Sequence, residues 1–170
     1  DVRSVVHAHP IYATSFAIAG IPLTQPIMPE AVISLGSVPI AEYGTPSTPE
    51  IPDAVEKYLP YYDAVLLESH GALTYGDSLT TAYYKMESVE FYAELLYHAN
   101  QLGGPKEFSK EQVEKLYEIR RQFGMSGKHP ADFPNGGIPE GVGADRVKNK
   151  PVDEELVSRI TRKVIEELNK

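Results

Sequence analysis

The chain has 170 residues, 42% hydrophobic and 24% charged, which suits one globular domain with a real core. Its net charge of −8 argues against a nucleic-acid backbone as partner, since such sites need clustered Lys and Arg, and no apolar run is long enough to cross a membrane. There is no cysteine, so disulfides and thiolate metal sites are excluded, any metal must sit on His, Asp or Glu, and a cytoplasmic location fits.

In chain order, Val2 to Ala8 reads as a buried strand that Pro10 ends by removing a backbone donor. The chain opens at Asp1 directly into this strand, so the expectation is that an N-terminal portion of the protein precedes it. Ile11 to Ala19 has apolar residues at helical spacing and Gly20 to stop it. Ile21 to Pro29 is broken by prolines and should be irregular. Ala31–Leu35 and Ser37–Ile40 read as short strands separated by Gly36, with Pro39 placing the second at an edge or a strand end.

Gly44 to Pro52 is a loop, and Ser47 or Thr48 followed by Pro49 should start a helix over Ile51–Leu59. Ala64 to Leu67 is a strand leading to His70 and a glycine turn. Ser78 to Gln101 is the longest helical signal, with Leu79, Ala82, Met86, Val89, Ala93 and Leu96 at three- and four-residue steps. Asp77 or Ser78 would cap it. Ser109 to Gln122 is a second amphipathic helix, with Val113, Leu116, Tyr117 and Ile119 on one side. The expected organisation is a domain over 1–123, a mobile Gly/Pro-rich linker over 124–151, and an amphipathic helix over 152–170 whose stripe runs from Val152 through Leu156 and Ile160 to Leu168.

The chemistry concentrates on histidine. On a strand, alternate side chains share a face, so His7 and His9 point the same way with Cα atoms roughly 6–7 Å apart. Such a pair also arises by chance at strand ends; His70 beside a glycine supplies a third imidazole. Three neutral imidazoles suit a catalytic zinc because they leave one coordination position open. His98 and His129 read as surface or packing residues. Glu68 would share a face with His70 if the strand continued that far, either holding a histidine tautomer or standing as a solvated strand-end carboxylate. Glu30 follows a rigid proline and is placed to reach a cleft.

His7-Ala-His9-Pro, Ile21-Pro22 after a short helix, the Tyr43-Gly-Thr-Pro-Ser loop, and Glu68-Ser-His70-Gly-Ala-Leu before a long helix together resemble the class II sugar-phosphate aldolases of the class II aldolase/adducin family, most like the L-fuculose-phosphate aldolases. The resemblance covers roughly Val2 to Gln122. It implies an α/β fold of three α/β/α layers around a mostly antiparallel sheet, truncated at its N-terminus. It also implies zinc or another divalent metal on His7, His9 and His70, and a homotetramer with active sites between subunits. The implied reaction is retro-aldol cleavage of a phosphorylated sugar, a ketose 1-phosphate, to dihydroxyacetone phosphate and a small aldehyde. A metal serves that chemistry by drawing the charge of a carbanion beside a carbonyl onto oxygen.

In that family the glutamate base and the phosphate-holding Gly, Ser and Thr loops lie upstream of the His-x-His motif. The principal base is therefore expected outside this chain, and the isolated 170-residue chain is expected to be inactive. Glu30 and Glu68 are not its positional equivalents and stand as outer partners or alternative acids. Tyr117 is the best-placed tyrosine for the family's proton donor to a neighbouring subunit. The same fold hosts pentulose-phosphate 4-epimerases, methylthioribulose-phosphate dehydratases and non-catalytic adducin-type interaction modules; the last have lost the ligand histidines. The tail, a linker and an amphipathic helix, resembles the encapsulation peptides of bacterial microcompartments, which would place the protein against a shell or neighbouring cargo, or else packs on the parent tetramer.

Overall fold

A computed structural model describes residues 2–133 together with 138, 159 and 162. Within them β1 (Ser4–Ala8) leads to α1 (Ile11–Ala19) and α2 (Pro29–Ser34), then β2 (Ile40–Ala41) and α3 (Glu50–Glu56). A hairpin of β3 (Ala64–Leu67) and β4 (Gly71–Gly76) precedes the two long helices, α4 (Leu79–Gln101) and α5 (Lys110–Gln122). A single 3₁₀ turn follows at Pro130–Asp132.

The four strands lie in the order β1-β4-β3-β2, with β1/β4 and β3/β4 antiparallel and only β2/β3 parallel. Strand β3 is buried along its whole length, so its alternating side chains feed two cores. Ala64 and Leu66 pack with Phe16, Met86, Val89, Tyr92 and Leu96 on the α1/α4 side. Val65 and Leu67 pack with Val55, Tyr58 and Tyr62 on the α3 side. The result is the three-layer α/β/α arrangement around a mostly antiparallel sheet.

Local signals explain most of these boundaries. Gly20 ends α1 in the left-handed conformation, φ 68°, returning its N–H to Phe16 and Ala17 carbonyls. Ser78 caps α4 by accepting from the Thr81 N–H, and Ser109 with Gln112 forms a complete capping box on α5. Helix α1 has no side-chain cap of its own. Its first N–H groups are taken instead by Glu90 of α4, which accepts from Tyr12 at 2.9 Å and Ala13 at 2.8 Å.

Several expectations are corrected. Ala31–Leu35 is not a strand: Pro29 occupies the first turn of α2, where its fixed φ and missing N–H start a helix, and Ala31 and Val32 are buried by it. The Ser37–Ile40 strand shrinks to Ile40–Ala41 and an isolated Leu23–Val38 bridge, at the sheet edge that Pro39 requires. Helix α3 begins after Pro49 without a side-chain cap and stops at Glu56, three residues short of Leu59. Gly71–Gly76, unassigned from sequence, is β4, one of the two inner strands.

The first part of the expected mobile linker, up to Phe133, is packed on the body. His129 and Ala131 are buried, and the Phe133 ring meets Tyr61 edge-on at 5.0 Å. The helix expected over 152–170 lies outside the described residues apart from Arg159 and Arg162, both helical and exposed. Among the described residues no helix is long and apolar enough to cross a membrane.

Candidate metal centre

Pairing of β1 with β4 sets His7 opposite Leu73 and Ala8 opposite Ala72, so the chain carries His9 past the start of β4, beside Gly71. The connection from β3 to β4 is a tight turn, Glu68-Ser69-His70, closed by the His70 N–H on the Leu67 carbonyl at 3.0 Å. Ser69 takes the left-handed conformation, φ 56°, and its N–H is anchored on the Ala17 carbonyl at 3.1 Å. That turn brings His70 against the pair from β1. The three ring centroids are 4.8–5.0 Å apart. One ring nitrogen from each residue lies within 4.8 Å of the others, a spacing that one ion can bridge.

The chemistry of the donor set fits a divalent metal. His7 Nδ1 sits 2.9 Å from the Ala72 carbonyl, an acceptor only, so Nδ1 carries the proton and Nε2 keeps its lone pair for a ligand role. His70 Nδ1 is buried and without a hydrogen-bond partner among the described residues, an exception that calls for a reason in a folded protein. Burial, followed by the neighbouring His7 and His9, pulls the His70 pKa below the usual histidine value, favouring the neutral imidazole that metals bind. His7 and His9 are exposed and His70 half-buried, so the cluster opens to solvent and a fourth position is accessible.

Gly71 is the first residue of β4, not the centre of a turn as the sequence suggests. A Cβ there would stand 2.5 Å from the His9 ring and 2.6 Å from the Ala8 carbonyl oxygen. The carbonyl belongs to the paired strand and cannot swing away. Gly71→Ala should therefore push β1 and β4 apart at the site and lower zinc affinity about tenfold or more, read by isothermal titration calorimetry of the folded variant.

The other sequence candidates are placed elsewhere. Strand β3 stops at Leu67, so Glu68 shares no strand face with His70; its carboxylate accepts from the Tyr43 N–H at 3.0 Å and ties the 43–48 loop to the hairpin. Glu30 stands in the first turn of α2 and lines a groove with Met28, Ser88 and Phe91 that none of the three histidines lines. Tyr117 lies on α5 with its ring edge-on to His129 at 5.2 Å, and burial raises its pKa. His98 is exposed on α4 near Tyr12 and Tyr97. The residue that sequence reasoning missed is Glu90, which fixes the start of α1 two residues after His9 and Pro10. Its signal was a carboxylate standing in the stripe formed by Met86, Val89 and Ala93.

Residues 1–97 match the family described as the class II aldolase and adducin N-terminal domain. An L-fuculose phosphate aldolase of Methanococcus maripaludis (strain C5) is 31% identical over 103 residues, 61% of this chain and 55% of that protein. A 5-deoxy-D-ribulose 1-phosphate aldolase of Bacillus thuringiensis serovar kurstaki is 30% identical over 126 residues, 74% of this chain and 58% of that protein. Among solved structures, an L-fuculose 1-phosphate aldolase superposes with a TM-score of 0.64 at 30% identity, covering 74% of this chain and 57% of the other. The chain thus spans between half and two thirds of the length of these relatives.

Proposed function

Because the chain belongs to the class II aldolase and adducin family, we propose that His7, His9 and His70 hold a zinc ion and form the metal-binding part of a site that cleaves a carbon–carbon bond in a phosphorylated ketose. The observation that carries this reading is the convergence of three imidazoles, from two separated segments, on one solvent-facing point. Zinc supplies, when bound, a Lewis acid that stabilises negative charge developing beside a carbonyl. The chain's own contributions are positional. The Ala72 carbonyl fixes the His7 tautomer, Gly71 admits the His9 ring, and the left-handed Ser69 turn presents His70.

The substrate we propose is an L-fuculose 1-phosphate-like ketose 1-phosphate, split to dihydroxyacetone phosphate and a small aldehyde. Its support is the pair of aldolases similar to this chain, whose names share a phosphorylated ketose substrate. Retention of the three histidines favours an enzyme over an adducin-like interaction module. Neither Glu30 nor Glu68 is assigned the part of general base, and a proton-donor role for Tyr117 toward a neighbouring subunit of a homotetramer belongs to the same proposal. So does attachment to a microcompartment through 152–170.

The test is an assay of the full-length protein with L-fuculose, L-rhamnulose, D-ribulose and 5-deoxy-D-ribulose 1-phosphates, with and without a chelator. Aldehyde release that chelation abolishes and zinc restores is the expected result. Turnover untouched by chelation would overturn the metal reading, and epimerised or dehydrated product would move the reaction to the fold's other chemistries.

A further inference from the structure

The groove that holds Glu30 continues past Ser34 and Ser88, because both residues also line a cleft beside the arm that leaves α5. The two form one trough along α4, with halves of about 360 and 370 Å³, and none of the three histidines lines it. Thr81 and Phe91 stand at its ends, about 15 Å apart at 1.5 Å per helical residue. Its apolar surface is open to solvent: Tyr84 is 60% exposed, Phe91 51% and Met125 41%.

Both cations of the trough, and the two serines shared by its halves, are already engaged by protein groups. Ser34 and Ser88 donate to the Glu30 and Tyr84 carbonyls at 2.7 and 2.9 Å. The Lys85 ammonium donates to Asp63 at 2.6 Å and to the Tyr75 carbonyl at 3.0 Å. Arg120 donates to the Ile33 and Ser126 carbonyls at 2.9 and 3.1 Å, and Asp132 and Asp63 act on its charge. A trough so lined offers contact to an apolar face rather than to a charged ligand.

The end of the chain carries such a face. Leu156, Ile160 and Val164 recur at four-residue steps, flanked by Val157 and Leu168, and span about 12 Å on a helix. Arg159 and Arg162, helical and exposed, fall to the side of this stripe and behind it. Val157, Ile160, Thr161, Val164 and Ile165 are β-branched, so a helix this short is marginal in water until its apolar side is packed. Residues 134–151 join it to Phe133, which is fixed against Tyr61. Extended, they reach about 60 Å, more than the breadth of a domain of this size. A tether of that length presents the segment to its own domain at an effective concentration in the millimolar range.

We propose that the trough along α4 is the docking site of this chain's own segment 152–170, with Leu156, Ile160 and Val164 laid against Tyr84, Phe91 and Met125. Docking hides the stripe and leaves the three histidines uncovered. Attachment of the same segment to an outside surface would first have to displace it from the trough.

The experiment places a spin label on the segment in the full chain and reads the trough by NMR. The chain has no cysteine, so Ser158→Cys gives one attachment point for a nitroxide on the polar side of the stripe. The amide signals of Ser34, Ser88, Phe91 and Met125 should lose most of their intensity and regain it when the nitroxide is reduced. Ile160→Asp, outside the domain, and Phe91→Glu, at a half-exposed position, should each bring the signals back with the label still active. Signals lost elsewhere on the domain, no loss at all, or losses that survive either variant would overturn the proposal. So would losses in an isotope-labelled chain without nitroxide mixed with a spin-labelled one, because a second copy would then supply the segment. The readout involves no metal, so its failure is distinct from failure of the histidine site.

Discussion

His70→Ala will cost at least about a hundredfold in zinc affinity while leaving the fold intact. Loss of even an outer partner of a ligating histidine costs ten- to a hundredfold, and removing one of the three proposed ligands must cost more. The fold should survive because His70 stands in a turn and is absent from both core clusters. The metal-free variant should even be as stable as the metal-free parent, since the change deletes a buried nitrogen with no hydrogen-bond partner. Calorimetric titration with zinc and thermal melts with and without it will separate the two effects: the parent's Tm rises with zinc and the variant's does not. Equal zinc affinity in the two proteins would remove His70 from the metal centre.

The second large effect is an acid-dependent loss of stability set by His129. Its Nδ1 accepts from the Ala131 N–H at 3.0 Å and its Nε2 donates to the Val32 carbonyl at 2.8 Å, so the buried ring is locked as one neutral tautomer. Burial, and then the Arg120 charge, push its pKa down to about 3, against the bond to Val32, which acts the other way. The folded value is below the unfolded value near 6.5, so the unfolded chain takes up the proton first. The stabilisation is therefore complete above pH 6.5 and drains away as the pH falls toward 3. The slope approaches about 1.4 kcal/mol per pH unit, about 2 kcal/mol lost by pH 5. Denaturant unfolding at pH 7.5, 6.5, 5.5 and 5 will show it. His129→Gln should be less stable at pH 7.5, yet its curve should fall less steeply below pH 6.5; parallel curves would refute the assignment.

What could be read in the chain were features written locally. Helices α1, α4 and α5 each carry a periodic stripe and a start or stop signal, and β3 is a four-residue apolar run. The His-x-His spacing on one strand face needs only strand geometry. The failures have one physical origin, dependence on distant partners. Ala31–Leu35 is apolar and β-branched, a composition that suits a strand, but Pro29 and burial against neighbouring helices decide for α2. Strand β4 begins and ends in glycine and is held by partners far off in sequence, so its own residues say little. His129 stands among glycines and prolines, and only tertiary structure reveals that it plugs the end of α2. Glu90 belongs to the same group, because its purpose is a helix 77 residues away.

The separation of the three proposed ligands has a consequence for how the chain folds. His9 and His70 stand far apart in sequence, and closing a loop of about 60 residues costs on the order of 3–4 kcal/mol of chain entropy. Of the three proposed ligands, an unfolded chain holds only His7 and His9 close together. The third imidazole arrives when β4 docks on β1, the slow, non-local step in building this sheet. Full-strength metal capture and completion of the β1–β4 ladder are then a single event, so zinc uptake followed in time during refolding would serve as a clock for sheet assembly.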